Sequence, residues 1–316
     1  MPPDVAPIPF SKYSGAGNDF AIALAEDLAD IEPSSLAPRI CPRATGVGVD
    51  GLILVRRLGP GRIGARFFNP DGSEFSTCGN GSRCVARYAR RRCLVKEDRI
   101  AIETSAGVVE ATAGGSQVSL DYEMDAWVER EAEVPYGDEL RPGWLVHVGT
   151  PHLVLLLPSV PAGDIAGLAR PIRFHPSLGP EGANIDFVSR HGGSETELEI
   201  RTYERGVEGE TLSCGSGVMA VALALHTAGI AGPTLTLHTR SGDALEVALL
   251  DRMGEVSSSP ASGEAPSTAA ASRRRRLRLG GPAHHIFDGK FPVAADAPPA
   301  GDPPFTGGRS PGSVDG

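Results

Sequence analysis

Thr77-Cys78-Gly79-Asn80-Gly81 and Ser213-Cys214-Gly215-Ser216-Gly217 are the two stretches around which the chain reads, each a cysteine set before a Gly-x-Gly turn and a helix-forming run. The match continues past the turn, because Val85-Ala86 and Val221-Ala222 stand at the same offset from their cysteines. Further on, Thr104-Ser105-Ala106-Gly107 and Thr239-Arg240-Ser241-Gly242 follow at nearly equal distances. A register kept over that length is an internal duplication. The second helical run, Val218 to Leu225, is apolar on every side and must be enclosed. The short strands flanking it are the available enclosure, so the expectation is a sheet rolled around a central helix, once per half.

The chemistry of the repeated motif follows from what a helix start exposes. Its first backbone N–H groups lack intrahelical partners and carry the positive end of the dipole, so an anion is favoured there. Glycines let a ligand approach that backbone closely. The same field favours the thiolate of a cysteine. Two such starts facing each other would hold one carboxylate between two thiols.

Bulk properties narrow the classes. A length of 316 residues accommodates two ordinary domains. The net charge of −9 and pI near 5.4 argue against nucleic acid or an anionic membrane as partner. No run approaches the ~18 apolar residues of a membrane span, and the first twenty residues lack a signal-peptide core, so a cytoplasmic location is expected. Five cysteines then imply reduced thiols. Their spacing gives no zinc pattern, and no metal is expected.

In order along the chain, Phe10 to Phe20 reads as strand, turn, strand, with Asn18 and Asp19 at the turn exit, where plain turn geometry would also explain them. Gly46 to Val55 is a glycine-rich turn feeding a buried strand, and Asn69-Pro70-Asp71-Gly72-Ser73 is turn chemistry leading to Cys78. On the helix after Cys78, the residues Arg83, Arg87, Arg90 and Arg91 read as one charged face, so that helix is expected to be partly buried. Cys84 and Cys93 read as packing or surface thiols. Strands at 100–104, 108–111 and 118–121 close the first half, and the second begins near Glu123. Trp144 to Leu157 reads as two strands joined at Gly149-Thr150-Pro151, with His152 at the start of the second, a place where a structural histidine is common. Strands at 184–188 and 197–203 lead to Cys214. Beyond Asp251 a Ser/Pro/Ala-rich stretch cannot bury enough apolar surface to order itself. Residues 251–276 are therefore expected to be a disordered insertion, with Arg273–Arg276 a solvated approach to the next strand, and 295–316 a frayed tail.

Inverting a stereocentre beside a carboxylate needs a base on one face of the carbon and an acid on the other, roles that reverse with the direction of reaction. A thiolate/thiol pair at two helix tips meets that need, and no cofactor is demanded. The motifs Gly15-Ala-Gly-Asn-Asp-Phe20, Gly46-Val-Gly-Val-Asp50, Phe68-Asn-Pro-Asp-Gly-Ser73, Cys78-Gly-Asn-Gly-Ser-Arg-Cys84, Pro151-His152, Ala183-Asn184, Glu204-Arg-Gly206 and Cys214-Gly-Ser-Gly217, in this order, resemble the diaminopimelate epimerases. The resemblance implies a cofactor-independent enzyme of lysine and peptidoglycan-precursor synthesis, acting on a small molecule, LL-2,6-diaminopimelate, and leaves a homodimer open as its assembly. It implies an α+β fold of two pseudo-symmetric halves, each a mostly antiparallel sheet rolled around a central helix. Residues 1–122 plus 277–294 would form the half with Cys78, and 123–250 the half with Cys214.

By the same resemblance, Cys78 and Cys214 are the acid/base thiols. Gly79, Asn80, Gly215 and Ser216 bind the reacting carboxylate through backbone N–H groups, and Asn18, Asn69, Asn184 and Arg205 hold the distal amino-acid end. His152 and Glu204 stand beside the thiols as orienting or substrate-amine groups. The sequence departs from the family at Thr150, where Asn is common and a distal contact would be shortened or water-mediated, at Gly51, and at Glu208, which lengthens the Glu204–Thr211 segment by one residue. Three other classes compete: a proline or hydroxyproline racemase, a disulfide protein pairing Cys78 with Cys214, and a binding protein. Asn80 and the polar distal set favour the epimerase.

Overall fold

In the computed structural model, which describes residues 6–28, 31–250 and 273–292, one continuous sheet of seventeen strands winds around two long helices. The first half runs β1 (Ile8–Gly15), β2 (Asn18–Leu24), α1 (Pro33–Ile40), β3 (Gly51–Gly59), β4 (Arg62–Phe68), β5 (Glu74–Phe75), α2 (Gly79–Arg91), β6 (Arg99–Thr104) and β7 (Gly107–Gly114). After β8 (Gln117–Tyr136) the second repeats it: β9 (Glu139–Val148), β10 (Thr150–Leu156), α3 (Ala166–Arg173), β11 (Asn184–Arg190), β12 (Glu197–Glu204), β13 (Gly209–Thr211), α4 (Gly215–Thr227), β14 (Thr234–His238) and β15 (Ala244–Leu249). Last come β16 (Arg274–Pro282) and β17 (His284–Phe291).

The pairings repeat as well. β2 runs parallel to β3 and β10 to β11; β4 runs parallel to β6 and β12 to β14. Each of these four crossings carries intervening chain, as a parallel connection requires. All other pairings are antiparallel, so the α+β duplication legible at the two cysteines is the architecture observed.

The halves are laced rather than cut apart. The 20-residue β8 pairs with β7 and β16 through its first part and with β9 through its second, so the junction placed near Glu123 lies inside an unbroken strand. The C-terminal strands divide between the cores: Leu277 and Leu279 pack around α4, whereas Ala283 joins the core around α2, and β17 pairs with β1. Arg274–Arg276, grouped by sequence with the disordered insertion, are instead the opening of β16. The extended β8 supplies Glu123, Met124 and Asp125 as their register partners, and Glu123 takes the Arg274 guanidinium at 2.8 Å. The rest of that expected insertion, 251–272, and the tail at 295–316 lie outside the described residues.

The two helices differ as their sequences require. α4 buries every residue from Gly217 to Leu225, and each fully buried Val or Leu there contributes roughly 1.5–3 kcal/mol. On α2, Arg87, Arg90 and Arg91 reach the surface and bond the Gly115 carbonyl, Asp98 and Asp288. Arg83 does not belong to that charged face: it is 0 % exposed. The stripe that reaches solvent farther along the helix is covered at its first turn by β16, where Gly281 packs against the guanidinium. Cys84 is buried in the α2 core and Cys93 is exposed.

Candidate active site

Cys78 is the N-cap residue of α2, in extended backbone, and its Sγ accepts a bond from the Gly81 N–H at 3.4 Å. The β1–β2 hairpin lies directly on this helix tip. Its turn, Ala16-Gly17, has both residues at positive φ (53° and 85°), the two-residue geometry that suits a hairpin's twist. A Cβ at Gly15 would sit 2.7 Å from the Asn80 carbonyl, so only glycine permits that approach. The hairpin thus places Asn18 against the thiol, with Cys78 Sγ 3.8 Å from Asn18 Oδ1 and Asn18 Nδ2 donating to Asp50 Oδ2 at 2.8 Å.

Cys214 is likewise the N-cap residue of α4, in extended backbone, but its side chain makes no capping hydrogen bond; its Sγ lies 3.3 Å from Ser216 Oγ. From there a chain of polar groups runs into the protein. Ser216 Oγ lies 3.0 Å from His152 Nε2, His152 Nδ1 lies 2.8 Å from Asp186 Oδ2, and Asp186 Oδ1 accepts from Thr202 Oγ1 at 2.7 Å. His152 and Asp186 are both 0 % exposed. With a carboxylate on Nδ1, the ring N–H is assigned there, which leaves Nε2 to accept from Ser216. The sheet builds this arrangement, since His152 on β10 is in register with Asn184 on parallel β11, and Asp186 follows two residues later on the same face. Asn184 Oδ1 accepts from the Arg205 N–H at 2.7 Å, while its Nδ2 donates to Thr150 Oγ1 at 3.1 Å.

The two tips converge. Asn80 Nδ2 donates to Ser213 Oγ at 3.3 Å across the halves. Moreover, a Cβ at Gly79 would lie 4.0 Å, and one at Gly215 3.0 Å, from the same Leu279 Cδ2. Glu204, held by Thr211 Oγ1, acts on both sulfurs. Burial pushes the Cys78 thiol up, opposed by the Gly81 N–H and Arg83. The Cys214 thiol is pushed well up by burial first, then by Glu204 and Asp186.

Of the residues named from sequence, the structure gathers Cys78, Gly79, Asn80, Asn18, Gly215, Ser216, Cys214 and His152 around the tips, with Asn184, Thr150 and Arg205 adjoining them through His152 and Asn184. The Asn69 side chain bonds Ser73 within its own turn and none of the others. Arg205 Nη1 is engaged by Glu181 at 2.7 Å. The extra residue Glu208 is absorbed at φ 52°, where its Oε1 accepts from Gly206 N–H and Arg173, leaving Glu210 to a bidentate pair with Arg201. Asp186, Thr202, Ser213 and Arg83 were not read as site residues: Arg83 counted toward a charged face, and Ser213 only as the residue before Cys214. For Asp186 a signal existed: an acid inside the apolar run Asn184-Ile-Asp-Phe-Val188.

Elsewhere, His191, Glu197 and His238 have ligand atoms within 4.8 Å of one another, but each imidazole is already paired with a carboxylate, His191 with Glu199 and His238 with Glu197. A cleft of about 300 Å³ lined by Phe10, Tyr88 and Asp288 contains neither helix tip. Among the described residues no helix is long and apolar enough to cross a membrane.

A family model described as diaminopimelate epimerase matches residues 10–127 and 144–260, one segment for each cysteine. The chain belongs to the diaminopimelate epimerase family. As a member it is an isomerase. Relatives in this family include the diaminopimelate epimerase of Aquifex aeolicus, 34 % identical over 78 % of this chain and 92 % of that one. That of Moorella thermoacetica is 32 % identical over 90 % and 99 %. Among solved structures, a phenazine biosynthesis protein of the PhzF family from Enterococcus faecalis superposes with TM-score 0.64 at 15 % identity, covering 90 % of this chain and 98 % of its own. A hydroxyproline epimerase from Agrobacterium vitis gives 0.60 at 14 % identity, covering 92 % of each. At such identities these structures speak for the shared fold alone.

Proposed function

We propose that this chain converts LL-2,6-diaminopimelate to the meso isomer without a cofactor, using Cys78 and Cys214 as paired acid/base groups, in lysine and peptidoglycan-precursor synthesis. The observation that carries the reading is the convergence of two cysteine-capped helix starts on one Leu279 methyl group, bridged by Asn80 and Ser213. One thiolate removes the α-proton from one face, and the other thiol delivers a proton to the opposite face. Charge growing on the carboxylate is stabilised by the N–H groups of Gly79-Asn80 and Gly215-Ser216, which are fixed before the reaction begins. The reverse reaction exchanges the two sulfurs' roles.

On this reading His152, held by Asp186, orients Ser216 beside Cys214, and Glu204 receives the substrate amine between the thiols. Asn18, Asn69, Thr150, Asn184 and Arg205 form the distal subsite. Arg205 would exchange Glu181 for the distal carboxylate, and Asn69 would leave Ser73. A proline racemase would have no second amino-acid end for these groups to hold. The test is incubation of reduced protein with LL-diaminopimelate, followed by chiral chromatography. Accumulation of the meso isomer is expected; inertness toward diaminopimelate with inversion of proline instead would move the assignment to a racemase.

A further inference from the structure

Among the described residues Arg83 is a fully buried cation with no counter-ion. Its side chain is 0 % exposed, Nη2 donates to Asn80 Oδ1 at 2.8 Å, and Nε and Nη1 have no partner among the described residues. Nor does any carboxylate lie within ion-pair distance of it among those residues. The absence of a side chain at Gly281 lets β16 close over it, since a Cβ there would stand 2.4 Å from Leu245 Cδ2 and 3.3 Å from Arg83 Nε. Burying an unpaired guanidinium costs several kcal/mol, and groups kept at that cost concentrate at functional sites.

The surroundings point to one use. The ionisable groups acting on Arg83 are Cys84, Tyr122, Cys78 and Asp243. Cys84 and Tyr122 are held neutral by burial, Cys84 up at about 12. Cys78 is the group that the two-thiol reaction ionises. The remaining bond of Arg83 has a second effect: by occupying Asn80 Oδ1 it turns Asn80 Nδ2 toward Ser213, next to Cys214.

We propose that Arg83 is a positioning residue for the two-thiol reaction: it clamps Asn80 across the junction of the helix tips and supplies the fixed positive charge against which Cys78 becomes a thiolate. This rests on the function proposed above, and it deepens it by making the sulfurs unequal. Burial raises both thiols, but the Arg83 charge opposes this at Cys78, whereas Glu204 and Asp186 add to it at Cys214. Of the two sulfurs, Cys78 is therefore the one whose ionisation Arg83 favours.

The test uses full-length reduced enzyme and the variants Arg83→Met, of similar reach without charge, and Arg83→Lys. Circular dichroism and Tm check folding, and iodoacetamide labelling of each cysteine, read by peptide mass spectrometry across pH, reports thiolate content without any substrate. Loss of an adjacent cation raises a thiol's pKa by about one unit or more, so Arg83→Met should slow Cys78 labelling near neutral pH at least ~10-fold and leave Cys214 labelling unchanged. Its kcat should fall by at least the same factor, while Arg83→Lys restores Cys78 labelling and part of kcat. A folded Arg83→Met enzyme with wild-type labelling and kcat would reduce Arg83 to packing. Should Arg83→Met fail to fold, slowed Cys78 labelling in folded Arg83→Lys overturns the electrostatic role and wild-type labelling supports it. A shifted labelling profile in a protein inert toward diaminopimelate would uphold Arg83 and discard the substrate instead.

Discussion

Cys78→Ala and Cys214→Ala are each expected to lose epimerisation by roughly 10²–10⁴-fold or more, the range contributed by a positioned acid or base. On the proposed mechanism each face of the substrate carbon meets one sulfur, so neither thiol can stand in for the other. The remaining thiolate still reaches the isomer whose α-hydrogen faces it. Each variant should therefore exchange that hydrogen with solvent in one isomer only, without inversion. Neither change should unfold the protein, because the cap position keeps its extended backbone and the bond lost is a weak one from Gly81 N–H or Ser216. Chiral chromatography and deuterium incorporation measured together make the check. Full epimerase activity in either variant would refute the two-thiol mechanism.

Asp186→Ala carries the second large effect, on stability and turnover alike. Asp186 is 0 % exposed and accepts from both His152 Nδ1 and Thr202 Oγ1. Its removal strands two buried donors at a cost on the order of 3 kcal/mol, which corresponds to a fall in Tm of roughly 6–12 °C. The imidazole is then free to change tautomer and to release Ser216 from beside Cys214. Asp186→Asn separates the two contributions. It keeps the shape, which Gly217 fits closely enough that a Cβ there would lie 2.6 Å from Asp186 Oδ1. Its NH₂, however, faces a donor where a carboxylate oxygen accepted, so kcat should drop while Tm moves less. Thermal unfolding and steady-state kinetics on both variants decide this; an Asp186→Ala protein with unchanged Tm and kcat would show that the relay is idle.

Much of the fold was legible because the helix-start motif is chemically demanding. A capping residue, glycines that admit close approach and a following helix leave little freedom, and finding the set twice implied two halves. The duplication also contained α3, which local reading missed: Gly167 and Pro171 obscure an 8-residue helix. Yet α1, between the parallel strands β2 and β3, maps onto the same place between β10 and β11. The length of β8 was hidden for a different reason. Its stretch from Ala126 to Tyr136 mixes exposed charges with buried Ala132 and Val134, as a two-faced strand does, and the sequence reading ended that strand at 121.

The burial of Arg83 was not legible at all, because helical spacing cannot report that β16, far along the chain, covers one turn of α2. His152 was seen but its partner was not, since the pairing depends on the parallel register of β10 and β11 rather than on any local pattern. Thr150 and Glu208 were seen as departures. Only the geometry assigns their bonds, to Asn184 and to Arg173.

The central claim is that two sulfurs work on opposite faces of one carbon. Following the first few per cent of reaction of LL-diaminopimelate in D₂O by mass spectrometry tests it most directly. Two separate thiols predict meso product carrying one deuterium at the inverted centre while recovered LL substrate stays unlabelled. Meso product that keeps the original hydrogen, or deuterium entering substrate and product equally, would mean that a single group handles the proton on both faces.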